Sequence, residues 1–514
     1  MAGDDGTAAR RFHERTTHTP ASVRGSGHAL DWDVKPFPFK IYTDRPAIEL
    51  PRSFAPATMD TLEAIAGGGA PEAPLDLARL AALLYLTAGV TRKKVYGQGV
   101  EVLFRAAAST GALYQTEVYV AAGEVAGLAP GLYHFCPGDF TLRLLREGDV
   151  RGALAVAAAD SALGRRAATI ALTAIYWRNT WKYQARGFRH LFWDSGTMLA
   201  NLVAAGGALG LAPTIVTGFV DADANHVLGV DAHRETTLEL VGVGATGAPA
   251  PDPGRLPPIA HEILPLSSSE VDYPALREMV EASRLDTADA VRAWRGGTPP
   301  PPRPAAGARV GLPPSRAQAG RTLADTIQRR GSTRQFAPTP ITAVDLATAL
   351  GAATRPIPID VPSGLVELFV IVNAVEDVAP GAYRYLPREH ALETVRTGEF
   401  RERAGFLCLE QPLAAAAAAV IFFLAPLDAL IARWGDRAYR LANLEAGLAG
   451  GRAYLAAYGG SFGASGLTFY DRLVVDFFAP ASDGLDAIFV TALGQSVRAP
   501  RPPIIDRLSR ARAE

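Results

Sequence analysis

An internal repeat constrains the fold of this chain more than any other feature of its sequence. Residues 75–246 and residues 341–496 carry the same motifs in the same order. Each copy starts with an amphipathic helix that ends in Thr-Arg, at Arg92 and at Arg355, and later contains the phrase Ala-Pro-Gly-x-Tyr. Two stretches rich in alanine and glycine can look alike through composition alone, but composition does not reproduce an order of motifs. The repeat therefore predicts two copies of one module.

The order of the predicted elements within each copy indicates an α+β module. Alternating residues on both sides of the Ala-Pro-Gly turn fit paired strands, and an apolar run and a β-rich stretch follow farther along. Between these two lies a long helix, at 186–211 in the first copy and 437–463 in the second. Small residues recur every three or four positions along both helices, which lets another helix approach closely. The pattern predicts a tightly packed core of the kind found between two subunits.

The repeat and its flanking stretches divide the chain into five segments. We expect a first domain at 56–246 and a second at 321–498. An N-terminal extension at 1–55 and a C-terminal tail at 499–514 flank them. The segment between the domains, 247–320, includes one predicted helix and a run of prolines that is typical of an extended, semi-rigid spacer.

Composition excludes several classes of function. With 48% hydrophobic and 20% charged residues and a formal net charge of -1, the chain is typical of a soluble globular protein and lacks the charge that attracts nucleic acids or anionic membranes. The two cysteines, Cys136 and Cys408, lie too far apart for a cysteine-based zinc site or a disulfide framework, and they suit a reducing compartment. The longest apolar run, at 413–425, is shorter than a membrane span requires. We expect a cytoplasmic protein that binds no metal.

The segment RRGSTRQF, at 329–336, places guanidinium groups on both sides of a serine and a threonine. Forked donors and hydroxyls of this kind suit a phosphate monoester. A solvated basic turn is the alternative interpretation of the motif on its own. The sequence has no Walker motif and no convincing G-x-G-x-x-G between a strand and a helix, so neither a nucleoside triphosphate nor a Rossmann-bound nicotinamide is indicated.

Two loops of small residues are candidates for contact with a flat ligand. The first, in FRAAASTGALYQTEVYV (104–120), lets the backbone approach a ring closely, and Arg105 could place a charge beside it. The second loop, GASG at 463–466, has the same character. Either loop, taken alone, is equally consistent with a tight structural turn.

Aromatic and cationic residues alternate in the segment YWRNTWKYQARGFRH, at 176–190. In a semi-buried cleft, Lys182 could act as a base and Tyr183 as an acid or hydrogen-bond donor. Burial near other cations would lower the pKa of the lysine toward working pH. The alternative is a solvated helix face on which arginine stacks on tryptophan.

Taken together, these segments resemble the nitroreductase superfamily and, within it, the tandem-domain form of the SagB/ThcOx-type dehydrogenases. The resemblance rests on RAAASTGALYQTEVYV, where Ala108 replaces a usual proline, on WRNTWKYQARGFRHLFWDSG and on SGLTFYDRLVVDFFAP. It implies two tandem α+β domains, each a mixed, mainly antiparallel sheet flanked by helices. The two domains would form an intramolecular pseudo-dimer with FMN held between them.

The resemblance also implies roles for individual residues. In the azoline oxidases of the family a Lys-Tyr pair is required for catalysis, and Lys182 and Tyr183 occupy the matching positions. The implied FMN ligands are Arg329, Ser332 and Arg334 at the phosphate, Ser109, Gly111 and Ala112 with Arg105 at the ring, and Ala464, Gly466, Leu467 and Arg498 completing the site.

The implied reaction is a dehydrogenation of a peptide or a related small substrate. A thiazoline or oxazoline would lose a proton to Lys182 and a hydride to FMN, and O2 or another acceptor would take up the electrons. Two alternatives stay open. The chain could be a reductase that passes hydride from NAD(P)H to a nitro compound, quinone or enone, or a flavin-free scaffold that binds a peptide.

Overall fold

The structure, a computed structural model, describes residues 7–53, 57–95, 101–252 and 254–497. The elements of the first half come in the order predicted for the module. Its helices are α1 (Ala8–Arg15), α2 (Pro20–Arg24), α3 (Thr61–Ile65), α4 (Leu77–Ala88), α5 (Arg151–Ala157), α6 (Tyr176–Tyr183), α7 (Gly187–Ala208) and α8 (Asp221–Leu228). Its strands are β1 (Ala47–Glu49), β2 (Val90–Val95), β3 (Glu101–Arg105), β4 (Thr116–Ala122), β5 (Gly131–Cys136), β6 (Thr141–Glu147), β7 (Arg166–Ile175), β8 (Thr214–Val216) and β9 (Glu235–Thr246).

Within the described residues, the second half repeats this series without a counterpart of the β2–β3 hairpin and with one additional short helix, Pro412–Ala416. Its helices are α9 (Pro274–Ala282), α10 (Ala288–Arg295), α11 (Leu323–Arg329), α12 (Ala343–Ala353), α13 (Arg401–Leu407), α14 (Pro412–Ala416), α15 (Leu427–Trp434), α16 (Ala438–Gly459) and α17 (Asp471–Phe478). Its strands are β10 (Arg309–Gly311), β11 (Glu367–Val372), β12 (Gly381–Leu386), β13 (Ala391–Thr397), β14 (Ala419–Ala425), β15 (Gly463–Gly466) and β16 (Asp486–Gly494).

Each half forms one seven-stranded sheet, and the two sheets have the same topology. The strand order is β1-β6-β5-β4-β7-β9-β8 in the first and β10-β13-β12-β11-β14-β16-β15 in the second. The neighbours within each sheet pair antiparallel, whereas the isolated bridge between Ile215 and Ile359, which joins the two halves, is parallel. Helices flank both sheets. The prediction of two tandem α+β domains with mainly antiparallel sheets is confirmed.

Both sheets extend beyond the domain limits that the sequence suggests. Strand β1 lies in the predicted N-terminal extension and pairs with β6. Strand β10 lies in the predicted connector and pairs with β13 in the same way. The stretches that precede the two domains therefore each supply an edge strand. The limits at 56–246 and 321–498 stay a prediction, and the predicted tail at 499–514 lies outside the described residues.

The two long helices, α7 and α16, cross at the centre of the molecule through paired glycines. A Cβ atom on Gly196 would overlap the carbonyl oxygen of Leu444, and one on Gly447 would overlap the carbonyl oxygen of Trp193. Because the backbones touch there, only glycine fits at either position. Beside the crossing, the indole N–H of Trp193 donates to Asn443 Oδ1 at 2.7 Å.

Two buried ion-pair clusters repeat across the centre, each joining both domains. Arg186 and Arg189 at the start of α7 bind Asp471 at the start of α17. Burial opposes the ionisation of Asp471, but the two guanidinium groups outweigh it and hold the pKa of that carboxyl below its usual range. The mirror cluster is formed by Arg437, Arg440 and Asp221.

The segments ahead of each sheet also follow this symmetry. The backbone N–H of His18, just before α2, donates to Asp471 at 2.8 Å, and that of Leu285, just after α9, donates to Asp221 at 2.9 Å. Helix α1 packs on the second domain through Phe12, whose ring centroid is 6.0 Å from that of Tyr439. No helix within the described ranges is both long enough and apolar enough to cross a membrane.

Candidate active site

The boundary between the domains brings the second-domain segment 330–336 against the first-domain loop 105–112, and we call this region of the boundary the crevice. The buried guanidinium group of Arg330 spans this boundary. It donates to the carbonyl oxygens of Arg105 at 3.0 Å and Ala106 at 2.8 Å. The predicted phosphate motif and the predicted ring-facing loop therefore meet at one place.

The structure places the predicted phosphate ligand Arg329 at the end of α11. Helix α11 ends at this residue, and its side chain forms an ion pair of 2.6 Å with Asp325, one turn earlier on the same helix. The chain then leaves the helix in an extended conformation at Arg330, with φ -56° and ψ 134°. Consequently Arg330, and not Arg329, points across the domain boundary.

Strand β15 borders the crevice next to the phosphate motif. The backbone N–H of Thr333 donates to the carbonyl oxygen of Ala464 at 2.9 Å. The hydroxyl of Ser332 lies 3.3 Å from the hydroxyl of Tyr454, which also accepts the backbone N–H of Gly466. The structure thus brings Ser332, Ala464 and Gly466 together, with Tyr454 as the link between Ser332 and Gly466.

The first-domain loop is held in place by Asp194, a buried residue of α7. Its carboxylate accepts hydrogen bonds from the Ser109 hydroxyl at 2.5 Å and from the Thr110 backbone N–H and hydroxyl at 2.9 and 2.7 Å. Burial raises the pKa of Asp194 to about 6, although these hydrogen bonds favour the charged form. In the second domain Glu445 binds the backbone N–H groups of 364–366 in the same manner.

The tip of this loop lies against Tyr183. Gly111 and Ala112 have positive φ angles of 64° and 55°, which turn the chain sharply. A Cβ atom on Gly111 would lie 2.8 Å from the Tyr183 hydroxyl. Glycine at this position therefore leaves room for the phenol, and the loop that is predicted to face a ring also contacts a predicted catalytic residue.

Lys182 and Tyr183 form the last turn of α6, which ends because Gln184 takes a φ of 51°. The Lys182 Nζ lies 5.3 Å from the centroid of the Tyr183 ring. Burial, together with the nearby charge of Arg334, lowers the pKa of Lys182. Burial and Asp194 raise the pKa of Tyr183, and Arg334 opposes them. Arg334 of the second domain therefore acts on both predicted catalytic residues of the first domain.

Of the three remaining predicted ligands, the structure describes Arg105 and Leu467. The Arg105 side chain is buried away from the crevice, where it donates to the carbonyl oxygen of Pro38 at 2.6 Å, and only its carbonyl contacts Arg330. Leu467 follows β15 directly and packs, half-buried, against the core. Arg498 lies outside the described residues.

Three residues of this region were not singled out from the sequence: Arg330, Tyr454 and Arg92. Arg92, on β2, stacks over the Phe104 ring, with its guanidinium carbon 4.4 Å from the centroid. One of its terminal nitrogens lies 3.0 Å from the place that a Cβ on Gly331 would take. The end of α11 is the signal that would have selected Arg330, whereas Arg92 and Tyr454 become visible only once the domains are packed.

The symmetry-related position in the other half lacks this set of residues. There the link between α3 and α4 begins with AGGGAPEA (66–73), which has no cation. Helix α15 ends in Arg433 and Trp434 where α6 ends in Lys182 and Tyr183, and Trp434 is buried. The described residues therefore contain one such crevice with its cations, not two.

Comparisons with known proteins agree with this architecture. Residues 327–490 match the model of the nitroreductase family. A solved structure from Anabaena variabilis, named as a nitroreductase, is 26% identical and superposes with a TM-score of 0.77, covering 95% of this chain and 99% of that one. A relative from Methanocaldococcus jannaschii, also named as a nitroreductase, is 29% identical over 172 residues, which are 33% of this chain and 81% of the relative.

Proposed function

This chain is an oxidoreductase of the nitroreductase superfamily, and from that premise we propose that it binds FMN in the crevice between its domains and catalyses a dehydrogenation with Lys182 as the base. One observation carries the proposal. The guanidinium group of Arg330, in the second-domain motif, binds carbonyl oxygens of the first-domain loop. The tip of the same loop, at Gly111, lies against Tyr183, so the crevice joins a cationic motif to the segment of the candidate base.

The residues of the crevice fit FMN in two respects. At one end, Arg334 and Ser332 offer a guanidinium group and a hydroxyl, and Arg334 has no carboxylate partner among the described residues. An uncompensated cation beside a hydroxyl suits a phosphate monoester. At the other end, the 109–112 loop presents small residues, of which Gly111 is exposed, and these let a planar ring approach the backbone.

Bound FMN would supply the acceptor for a hydride that leaves the substrate. The side chains of the chain would handle the proton. The lowered pKa of Lys182 increases the fraction of neutral amine at neutral pH, and a neutral amine can accept a proton from a substrate carbon. The raised pKa of Tyr183 keeps its phenol protonated, so that it can donate a hydrogen bond to the substrate.

For the substrate we propose a thiazoline or oxazoline in a peptide, or a related small heterocycle. Such a ring loses one proton and one hydride and becomes an azole. The division of labour in the crevice matches these two losses, because Lys182 can take the proton. The resemblance of 104–120 and 176–190 to the tandem dehydrogenases supports this choice of substrate.

Replacing Lys182 tests the proposed base. Lys182→Met should lower turnover of an azoline peptide by about 10²-fold to 10⁴-fold while the bound FMN, read from its visible absorption, stays constant. Lys93→Met is the matched control, since Lys93 is exposed and pairs with Glu101 on the neighbouring strand. Full turnover in Lys182→Met would show that another group takes the proton.

Anaerobic titration with NADPH separates the dehydrogenase from the alternatives. We expect the flavin of the wild-type protein to be bleached by an azoline substrate and to resist NADPH under nitrogen. Rapid bleaching by NADPH would instead identify a reductase. A colourless protein that takes up no added FMN would identify a flavin-free scaffold and contradict the proposal.

A further inference from the structure

A cluster of three arginines from both domains surrounds Gly331. Arg330 and Arg334 come from the second domain, on either side of this glycine, and Arg92 reaches it from β2 of the first domain. The distance of 3.0 Å from the Arg92 guanidinium to the place of a Cβ on Gly331 shows how closely the two backbones and side chains pack.

The described residues do not neutralise Arg92. Its guanidinium lies over the Phe104 ring and beside Gly331, and no carboxylate in the described ranges pairs with it. Burial is the first cause, and the nearby Arg330 and Arg334 the second, of a lowered pKa for Arg92. Like charges gathered at a partly buried place repel one another, and an anion bound among them removes that repulsion.

We propose that Arg92 of the first domain binds the phosphate of FMN together with Ser332 and Arg334 of the second domain. The assignment rests on the proposed function. The planar guanidinium of Arg92 is held in one orientation by the Phe104 ring, and a fixed fork of donors is what bidentate phosphate recognition requires.

Two further observations favour the phosphate over the flavin ring as the partner of Arg92. Arg92 lies next to Gly331, one residue before Ser332, whereas the ring-facing loop contacts Tyr183 instead. Arg355, the arginine of the Thr-Arg motif in the second copy, is exposed and does not lie in a strand as Arg92 does. The phosphate site is then completed by both domains, so that binding of FMN fastens one domain to the other.

Flavin affinity measured with and without the phosphate tests this assignment. The dissociation constants of FMN and riboflavin are determined by fluorescence quenching for the full-length wild type, Arg92→Gln, Arg92→Lys and the control Arg355→Gln. We expect Arg92→Gln to weaken FMN binding by about 10-fold to 100-fold and to change riboflavin binding less than about twofold. The FMN dissociation constant of Arg92→Lys should lie between those of the wild type and Arg92→Gln. The constant of Arg355→Gln should match that of the wild type.

Thermal unfolding of the flavin-free protein distinguishes phosphate binding by Arg92 from a purely structural role of this residue. Removal of one of three like charges should leave the midpoint of flavin-free Arg92→Gln unchanged or raise it, while the stabilisation by FMN becomes smaller. If riboflavin binds too weakly to quantify, inorganic phosphate serves as the probe, and it should displace FMN from Arg92→Gln about 10-fold less effectively than from the wild type.

The outcomes separate this assignment from the proposed function. Equal losses of FMN and riboflavin affinity in Arg92→Gln, or no loss of either, overturn the assignment of Arg92 to the phosphate but leave the proposed function in place. An Arg355→Gln variant as weak as Arg92→Gln also overturns it, because the effect would then be general charge. A wild-type protein that binds neither flavin overturns the proposed function and this assignment together.

Discussion

Burial, together with the charge of Arg334 in the other domain, lowers the pKa of Lys182, and this sets the pH dependence expected of the candidate base. Burial and Arg334 disfavour the protonated amine, so the pKa of Lys182 lies below that of an ordinary lysine. Activity should rise with pH as this amine loses its proton. In Arg334→Gln one of the two causes is gone, so we expect the rising limb of kcat/KM to move to higher pH by roughly half a unit, measured at saturating FMN.

Arg334→Lys is the matched control, because it keeps the charge and should leave the limb in place. A limb that moves to lower pH in Arg334→Gln, or the same shift in both variants, would contradict the assignment of this ionisation to Lys182.

The residue types of the site could be predicted from the sequence, but their partners could not. Hydroxyls, small residues and a Lys-Tyr pair can each be recognised within a single segment of the sequence. The structure brings the segments of Ser109, Ser332 and Lys182 to one region of the domain boundary. Arg329 and Arg330 are chemically identical neighbours, and only the end of α11 decides which one turns toward the other domain. Arg105 meets the sequence criterion for a charge beside a ring, yet folding buries its side chain under the N-terminal segment.

At the scale of elements, the crossing of α7 and α16 depends on glycines that allow the backbones to touch. Gly447→Ala places a methyl group onto the carbonyl oxygen and Cα of Trp193, and a backbone cannot move aside as a side chain can. We expect the variant to lower the free energy of unfolding by about 1–3 kcal/mol, or more, in urea denaturation.

Gly207→Ala, near the end of α7, is the control for helix propensity. A Cβ there would meet one backbone oxygen at 3.3 Å, so the substitution should change stability by less than about 1 kcal/mol. Equal destabilisation in the two variants would show that the crossing at Gly447 is not what limits the substitution.

The long elements could be predicted from the sequence because each carries its own pattern. The small-residue faces of α7 and α16 and the alternation beside the Ala-Pro-Gly turns are local signals, and they predict the order of these elements along the chain. The edge strands β1 and β10 have three residues each and pair with β6 and β13, far away in the chain. Strands so short carry no pattern of their own, so the sequence left them inside the two connecting segments.

At the scale of the whole molecule, duplication has produced a symmetric frame with an asymmetric site. The frame keeps the symmetry where it bears on folding, in the paired glycines and in the two clusters around Asp221 and Asp471. The cations of the site do not follow this symmetry. The segment RRGSTRQF of the second half corresponds in position to AGGGAPEA of the first half, which has no cation. Two domains in one chain can diverge in this way, whereas two identical subunits cannot.

Titration of the flavin-free, full-length protein with FMN tests this account most directly. Since one of the two symmetry-related positions holds the cations and the Lys-Tyr pair, we predict an endpoint of one FMN per chain, with no second binding phase up to millimolar flavin. An endpoint of two FMN per chain would show that the other symmetry-related position also binds, and an endpoint of zero would show that the crevice is not a flavin site; either result contradicts the account.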